Sequence, residues 1–277
     1  MKYRHSFHAG NFADIHKHVT LLALLAALKR KDKGFAYIET HAGRGVYELS
    51  RAGESAEGSG RFSSGEYHAA ELQNFATLLS DFRAKRHDPR AYPGSPAVAA
   101  HELRPQDRAV LCEVQPAEAR HLERETEFSS RVHVECVDGY ERLRALLPPA
   151  ERRGLIFLDP PYEEPRQDLE RVTATLADAL RRFSTGVFAA WYPIKDERSI
   201  RAWHEAFART VAAETLVSEL WLYPRDSKVA LNGSGVLIVN PPFQVDERMR
   251  VWLPELQARL DVGHPGGTSV TKLTPPA

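Results

Sequence analysis

Seven short apolar runs, each of strand length and separated by longer stretches with helical periodicity, constrain this chain more than any other feature of it. The runs lie near residues 35–40, 108–114, 131–136, 154–159, 186–192, 217–223 and 235–240. Helical spacing of apolar residues covers 12–30, 96–104, 116–128, 139–147, 166–183, 195–210 and 246–260; in the first of these Leu21, Leu22, Leu25 and Leu28 make one stripe. Strands apolar on both faces, alternating with amphipathic helices, predict a doubly wound α/β fold around a mostly parallel, seven-stranded sheet. Residues 51–92 break the rhythm. Gly58-Ser59-Gly60 and Ser63-Ser64-Gly65 lead into a helical pattern over 66–85 that ends in Arg83, Lys85 and Arg86. This predicts a small helical insertion, 51–92, between core segments 1–50 and 93–277. The tail 263–277, rich in Gly, Thr and Pro, is expected on the surface.

Charge narrows the possible partners. The chain has 277 residues, with 37 basic and 37 acidic side chains, so no global field draws it to a polyanion. Any nucleic-acid contact must be local, and residues 1–33 supply a candidate: Lys2, Arg4, Lys17, Lys29, Arg30, Lys31 and Lys33 stand against only Asp14 and Asp32. The two cysteines, Cys112 and Cys136, form neither a disulfide framework nor a zinc spacing; both are expected to be buried in strands of a protein kept in a reducing compartment. The apolar stretch 19–28 is too short to span a bilayer and lacks the flanks of a leader peptide, which points to the cytoplasm.

The run Gly154-Leu155-Ile156-Phe157-Leu158 ends in Asp159-Pro160-Pro161-Tyr162. Ligands of open α/β sheets bind at the carboxyl ends of the strands, so this tetrapeptide lies where chemistry is expected. Two prolines fix φ and remove two N–H groups, leaving oriented carbonyls beside a carboxylate and an aromatic ring. An exocyclic amine on a flat base fits such a site. Asp159 and the Pro160 carbonyl can accept its two N–H bonds, and Tyr162 can stack on a base drawn out of its helix. A near-copy, Asn240-Pro241-Pro242-Phe243, also ends an apolar run, but no cofactor-type residues precede it and it is read as structural.

Three further strand ends carry the signs of a nucleotide-like cofactor. Glu39-Thr40-His41-Ala42-Gly43-Arg44-Gly45 supplies turn glycines after the first strand; Glu113 and Asp138-Gly139 put an acid after two later ones. Acids so placed can bind ribose hydroxyls or an adenine amine. The third glycine of a dinucleotide fingerprint is missing, which disfavours a nicotinamide enzyme. S-adenosylmethionine as methyl donor and an amine as acceptor fit the set. His5, His8, His16, His18 and His41 raise the possibility of a metal, but His16 and His18 are two apart on a predicted helix and no cysteine supports them, so no metal is assigned. The segment 3–18 is expected to fold over the cofactor.

Several blocks together resemble the RlmJ family of 23S rRNA adenine-N6 methyltransferases: Tyr3-Arg4-His5-Ser6-Phe7-His8-Ala9-Gly10-Asn11, Lys17-His18, Thr40-His41-Ala42-Gly43, Tyr92-Pro93-Gly94-Ser95-Pro96, Asp159-Pro160-Pro161-Tyr162, Trp191-Tyr192-Pro193 and Asn240-Pro241-Pro242. The resemblance implies a Rossmann-like class I methyltransferase core with a small helical subdomain, acting on protein-free or early-assembly rRNA. It implies S-adenosylmethionine bound through His18, His41, Ser95, Glu113, Asp138, Gly139 and Asp159, with Asp159, Pro160 and Tyr162 at the reacting amine. Tyr3 would touch the RNA, and His5 and Lys17 are expected beside it. Phe12, His16 and Arg44 depart from the family pattern, and the insertion is diverged. No obligate protein partner is evident and a monomer is expected. Methylation of DNA adenine uses the same catalytic parts, although no DNA-recognition domain is visible. An RNA-binding assembly protein without turnover is the reading from another class.

Overall fold

The sequence alternation becomes a sheet whose two faces are filled by different residues of each strand. The computed structural model describes residues 9–49, 54–126, 129–224, 227 and 231–274. In chain order the elements are α1 (Phe12–Lys29), β1 (Ala36–Glu39), β2 (Val46–Glu48), a π-helical turn (Ala56–Gly60) running into the short α2 (Arg61–Ser63), α3 (Ala70–Arg86), β3 (Ala91–Pro93), α4 (Ser95–Glu102), β4 (Arg108–Cys112) and α5 (Pro116–Thr126). There follow β5 (Val132–Glu135), α6 (Gly139–Leu146), β6 (Gly154–Leu158), α7 (Pro165–Arg182), β7 (Val187–Ile194), α8 (Glu197–Thr210), β8 (Thr215–Trp221), β9 (Gly233–Val239), α9 (Val245–Leu260) and β10 (Gly267–Leu273).

The main sheet has eight strands in the order β10-β8-β9-β7-β6-β1-β4-β5. β1 pairs in parallel with β4 and β6, and β7 with β6; β9 runs antiparallel to both β7 and β8. Omitting β10, the order is that of a doubly wound, Rossmann-like sheet, with one reversed strand, β9, inserted between β7 and β8. The chain order reverses at β1, between β6 and β4, the kind of position at which open α/β sheets bind their ligands. All seven expected strands form. The eighth, β10, was not foreseen: the tail lies on the surface as expected, with no buried residue over 263–274, but it pairs antiparallel with β8 over Gly267–Leu273. Its Thr268, Val270 and Thr271 are β-branched, and pairing covers the edge of β8 that the glycines and prolines had disguised as loop.

Side-chain alternation explains the two layers. Tyr37, Leu111, Leu155 and Phe157 face a core completed by Ile15, Val19 and Leu24 of α1, Val98 of α4, and Met249 and Trp252 of α9. Ile38, Ile156, Leu158 and Val239 face the other core, with Leu143 of α6, Leu169 and Leu176 of α7, and Trp203 and Phe207 of α8. The helical segment within 54–90 packs one face onto the α1 core. Phe62, Leu72, Phe75, Leu78 and Leu79 join the α1 core, and Arg83 is spent on Ser59, Ser63 and the Ala91 carbonyl. The ribbon β2–β3 brackets the segment, with Val46 opposite Pro93. Cys112 is buried as expected, but Cys136 is exposed because β5 ends one residue before it. No helix among the described residues is long and apolar enough to cross a membrane.

Candidate active site at the carboxyl edge of the sheet

The turn after β1 lies at the point where the strand order reverses. Gly43 and Gly45 adopt φ of 62° and 78°, a region that costs other residues steric strain, and a Cβ on Gly43 would stand 2.5 Å from the Tyr47 hydroxyl. Gly139 is demanded by contact instead: its Cβ would meet the Thr40 carbonyl at 2.1 Å. The loops after β1 and β5 can therefore touch only through glycine.

Around this turn the expected cofactor residues take defined places. Glu113, buried after β4, accepts from Gly43 N and Gln115 N, both at 2.8 Å, and burial pushes its carboxyl up. Asp138 caps α6 through Tyr140 N at 2.8 Å and receives Arg171 at 2.8 Å. Burial alone would raise its pKa, but Arg171 and the helix-cap hydrogen bonds prevail and hold it low. His41 accepts or donates at Thr40 Oγ1, 2.8 Å away, and sits edge-on to Tyr140 at 4.6 Å; burial lowers its pKa to about 4, so the ring is neutral. Ser95, first residue of α4, donates to Glu39 at 2.5 Å.

Glu39 itself was only the start of a motif in the sequence, and the structure makes it the deepest acid of the site. It is fully buried, accepts the Tyr37 hydroxyl at 2.9 Å and the Ser95 hydroxyl, and burial pushes its carboxyl up to about 8. The missed signal was a carboxylate closing a strand flanked on both sides by other strands.

Asp159 follows β6, next to β1. Its carboxylate accepts Lys17 Nζ at 2.6 Å, and the same ammonium lies 2.8 Å from Asp14. Local capping sets this up: Asn11 Oδ1 accepts Asp14 N, while Asp14 accepts Gly10 N at 2.9 Å, fixing the start of α1 over the sheet edge. Burial would lower the Lys17 pKa, but the two carboxylates outweigh it and hold the ammonium charged. This corrects the expectation for Lys17. With 2% exposure it has no surface for a phosphate and acts on Asp159 instead. Pro160 is buried and Pro161 exposed. Tyr162 adopts φ of 50°, costly for a bulky residue, and its hydroxyl donates to the Trp191 carbonyl at 2.5 Å.

The structure thus brings together Lys17, Glu39, His41, Ser95, Glu113, Asp138, Gly139, Asp159 and Tyr162. His18 stands apart from the acids, buried with Nδ1 2.9 Å from the Tyr92 hydroxyl and its ring 6.1 Å from Phe75. Tyr3 and His5 lie outside the described residues. His16 is structural: its ring nitrogens meet Ser234 at 2.9 Å and Ser218 at 3.0 Å. Asn240 is too, donating to Ser184 O and Gly186 O from φ 53°. No cluster among the described residues is placed to hold a metal ion.

The donors fit an adenosyl-type cofactor. A turn with glycine at 43 and 45 lies beside the Glu113 carboxylate, whose backbone partners leave lone pairs for hydroxyls, and Val114 next to it offers an exposed apolar side chain. Comparison with known proteins agrees. Residues 32–274 match a family model described as ribosomal RNA large subunit methyltransferase D, RlmJ. The chain is 37% identical over 280 residues to ribosomal RNA large subunit methyltransferase J of Escherichia coli K12, and 35% identical to its counterpart from Haemophilus influenzae, covering 99% of each pair. The crystal structure of protein LPL1258 from Legionella pneumophila superposes with a TM-score of 0.86 at 34% identity, over 95% of this chain and 98% of that one.

Proposed function

Because the chain belongs to the RlmJ family of ribosomal RNA large subunit methyltransferases, we propose that it methylates the exocyclic N6 of one adenine in 23S rRNA, with S-adenosylmethionine as donor. The observation that carries this reading is the position of Asp159, Pro160 and Tyr162 at the carboxyl end of β6, beside the glycine turn and the acids Glu113 and Asp138. His41, Ser95, Glu113, Asp138 and Gly139 would hold the cofactor, which supplies an electrophilic methyl group on a sulfonium; His18, packed on Tyr92 away from them, would act only through its neighbours.

The adenine amine is a weak nucleophile because its lone pair is delocalised into the ring. Asp159 and the Pro160 carbonyl accept its two N–H bonds, favour a more pyramidal nitrogen and aim the lone pair. Lys17 fixes the Asp159 carboxylate in one orientation by donating to it at 2.6 Å. Asp159 is then the nearest base for the proton released on transfer. Tyr3 and His5 meet the RNA, next to the basic stretch 1–33. The same reading places the enzyme in the cytoplasm as a monomer, acting on 23S rRNA before ribosomal proteins cover it.

Transfer of radiolabelled methyl to 23S rRNA transcript, duplex DNA and a sample without nucleic acid tests this. Label only in rRNA, recovered as N6-methyladenosine after digestion, is expected. Label in DNA, or in neither, would overturn it.

A further inference from the structure

The fold divides the basic stretch 1–33 between two ends of the molecule. α1 carries Lys17, bonded to Asp159, at the carboxyl edge of the sheet and then runs to the opposite edge, where Arg30, Lys31 and Lys33 follow its last turn and precede β1. From Lys17 to the end of α1 at Lys29 the helix rises about 18 Å, at about 1.5 Å per residue. These cations therefore cannot touch a nucleotide whose amine is at Asp159.

At the amino edge the loops that enter β1, β4 and β6 lie side by side. Ala36 N donates to the Arg153 carbonyl at 3.0 Å, and Arg108 N to the Phe35 carbonyl at 3.1 Å. Two guanidinium groups hold the first loop from inside. Arg104 donates to the carbonyls of Lys29 at 3.2 Å, Lys31 at 3.0 Å and Lys33 at 3.4 Å, and Arg153 to those of Leu28 at 2.7 Å and of Lys33. Gln106 takes the Asp32 carbonyl at 3.0 Å. With its carbonyls engaged in this way the loop is fixed, and Arg30, Lys31 and Lys33 stand exposed on it; Arg152, before β6, is exposed beside them.

The acids that could neutralise this edge are already paired. Asp107 is bound by Arg104, Glu151 by Arg108 and Glu102 by Lys29. Arg30, Lys31, Lys33 and Arg152 have no carboxylate partner among the described residues, and against them stands the exposed Asp32. Arg153 registers the excess: burial and the charge of Arg104 lower its pKa against the pull of Asp107. In a chain with no net charge this is a local concentration of positive charge. The carboxyl edge is the acidic one, with Asp14, Glu113, Asp138 and Asp159 around Lys17 and Arg171 among the described residues. A nucleotide presented there needs the phosphates of its strand held elsewhere.

We propose that the amino edge of the sheet, through Arg30, Lys31, Lys33 and Arg152, is a second RNA contact that grips phosphates of the same rRNA at a distance from the target adenine; the assignment rests on the methyltransferase reading above. Phosphate contacts position a nucleic acid without reading its sequence. The distance between the edges makes this one selective for length, because only an RNA that passes from one edge to the other meets both.

The test removes three charges in Lys31→Gln/Lys33→Gln/Arg152→Asn; Asn is chosen because Arg152 has φ of 56°, which Asn tolerates. Binding is measured against salt for the 23S rRNA transcript and for a hairpin around the methylated adenine. The hairpin stem has about five base pairs, which at roughly 3.4 Å each is shorter than the helix between the two edges. On the transcript the slope of log K against log salt should become shallower by about 2–3, and Kd at about 0.15 M salt should rise by about 10- to 100-fold. On the hairpin Kd and kcat should stay at wild-type values, as should the calorimetric affinity for S-adenosylmethionine. An unchanged slope on the transcript would overturn the assignment, and so would equal weakening on hairpin and transcript. If the thermal midpoint shows the triple variant unfolded, Lys31→Gln alone should lower the transcript slope by about 0.7–0.9, and an unchanged slope there counts equally against the contact. Failure of the wild-type chain to methylate either RNA would overturn the activity itself, whereas normal wild-type methylation with an indifferent variant overturns the amino-edge contact alone.

Discussion

Replacing Glu39 by Gln should change the pH dependence of stability in a direction opposite to that of most acids. Glu39 is fully buried, with its two oxygens engaged by Tyr37 at 2.9 Å and Ser95 at 2.5 Å. Burial is the main cause that lifts its pKa from 4.5 to about 8; the two hydrogen bonds and Lys17 work against it, and the field of Asp159 adds to it. The protonated acid is thus the form the fold prefers. In the unfolded chain the carboxyl ionises near 4.5, while in the fold it holds its proton until about 8. Stability from this group is fully present below 4.5 and is lost as pH rises to 8. At about 1.4 kcal/mol per pH unit, the loss between pH 5 and 8 is roughly 3–4 kcal/mol. Gln has nearly the same shape, can serve the same two hydroxyls, and does not titrate. Burial also lowers His16 and His41, to about 3 and 4, and these contribute stability that is lost as pH falls below 6.5. Those terms are common to both proteins and cancel in the difference. Thermal midpoints of wild type and Glu39→Gln from pH 5 to 8 should therefore converge and then cross, the variant gaining roughly 7–14 °C on the wild type over the range. Parallel curves would show that Glu39 is ionised in the fold and would refute the reasoning.

Asp159→Ala should abolish methyl transfer with the fold intact, whereas Asn240→Ala should keep turnover and lose about 1–3 kcal/mol in denaturant unfolding, since it abandons the Ser184 and Gly186 carbonyls; equal loss of turnover in two folded variants would remove Asp159 from its role. Glu113→Ala should raise the calorimetric Kd for S-adenosylmethionine by about 10- to 100-fold, the worth of charge-assisted bonds to hydroxyls. An unchanged Kd would take Glu113 out of the site. Lys17→Met leaves the Asp14 and Asp159 carboxylates without their shared cation and should cost about 3–5 kcal/mol of stability as well as turnover; an unaltered urea midpoint would contradict the buried triad.

What the sequence reveals here follows from the range of the physics involved. Strand positions depend on period-2 burial and neighbouring turns, which are local, and all seven expected strands form within a few residues of their expected limits. β10 escaped because Gly263 and Gly266 before it and its own first residue, Gly267, look like loop, while the partner that makes it a strand, β8, is 46 or more residues away along the chain. The acids at strand ends were legible for the same local reason as the strands. Their chemistry was not. Half of the Lys17 site could be read directly, because Asp14 and Lys17 are three apart on one helix and face the same way. The other half depends on where α1 crosses the sheet. Only when its first turn is capped by Asn11 and laid over the carboxyl edge does the ammonium reach Asp159, and a lysine that sequence places at a solvated helix start becomes a buried one. Glu39 shows the same limit from the opposite side: its partner Ser95 begins a helix 56 residues away, and nothing near Glu39 in the chain signals that its carboxyl will keep a proton. A residue's type and its place on a strand say where chemistry can occur; which charge state it adopts is set by the elements that close over it.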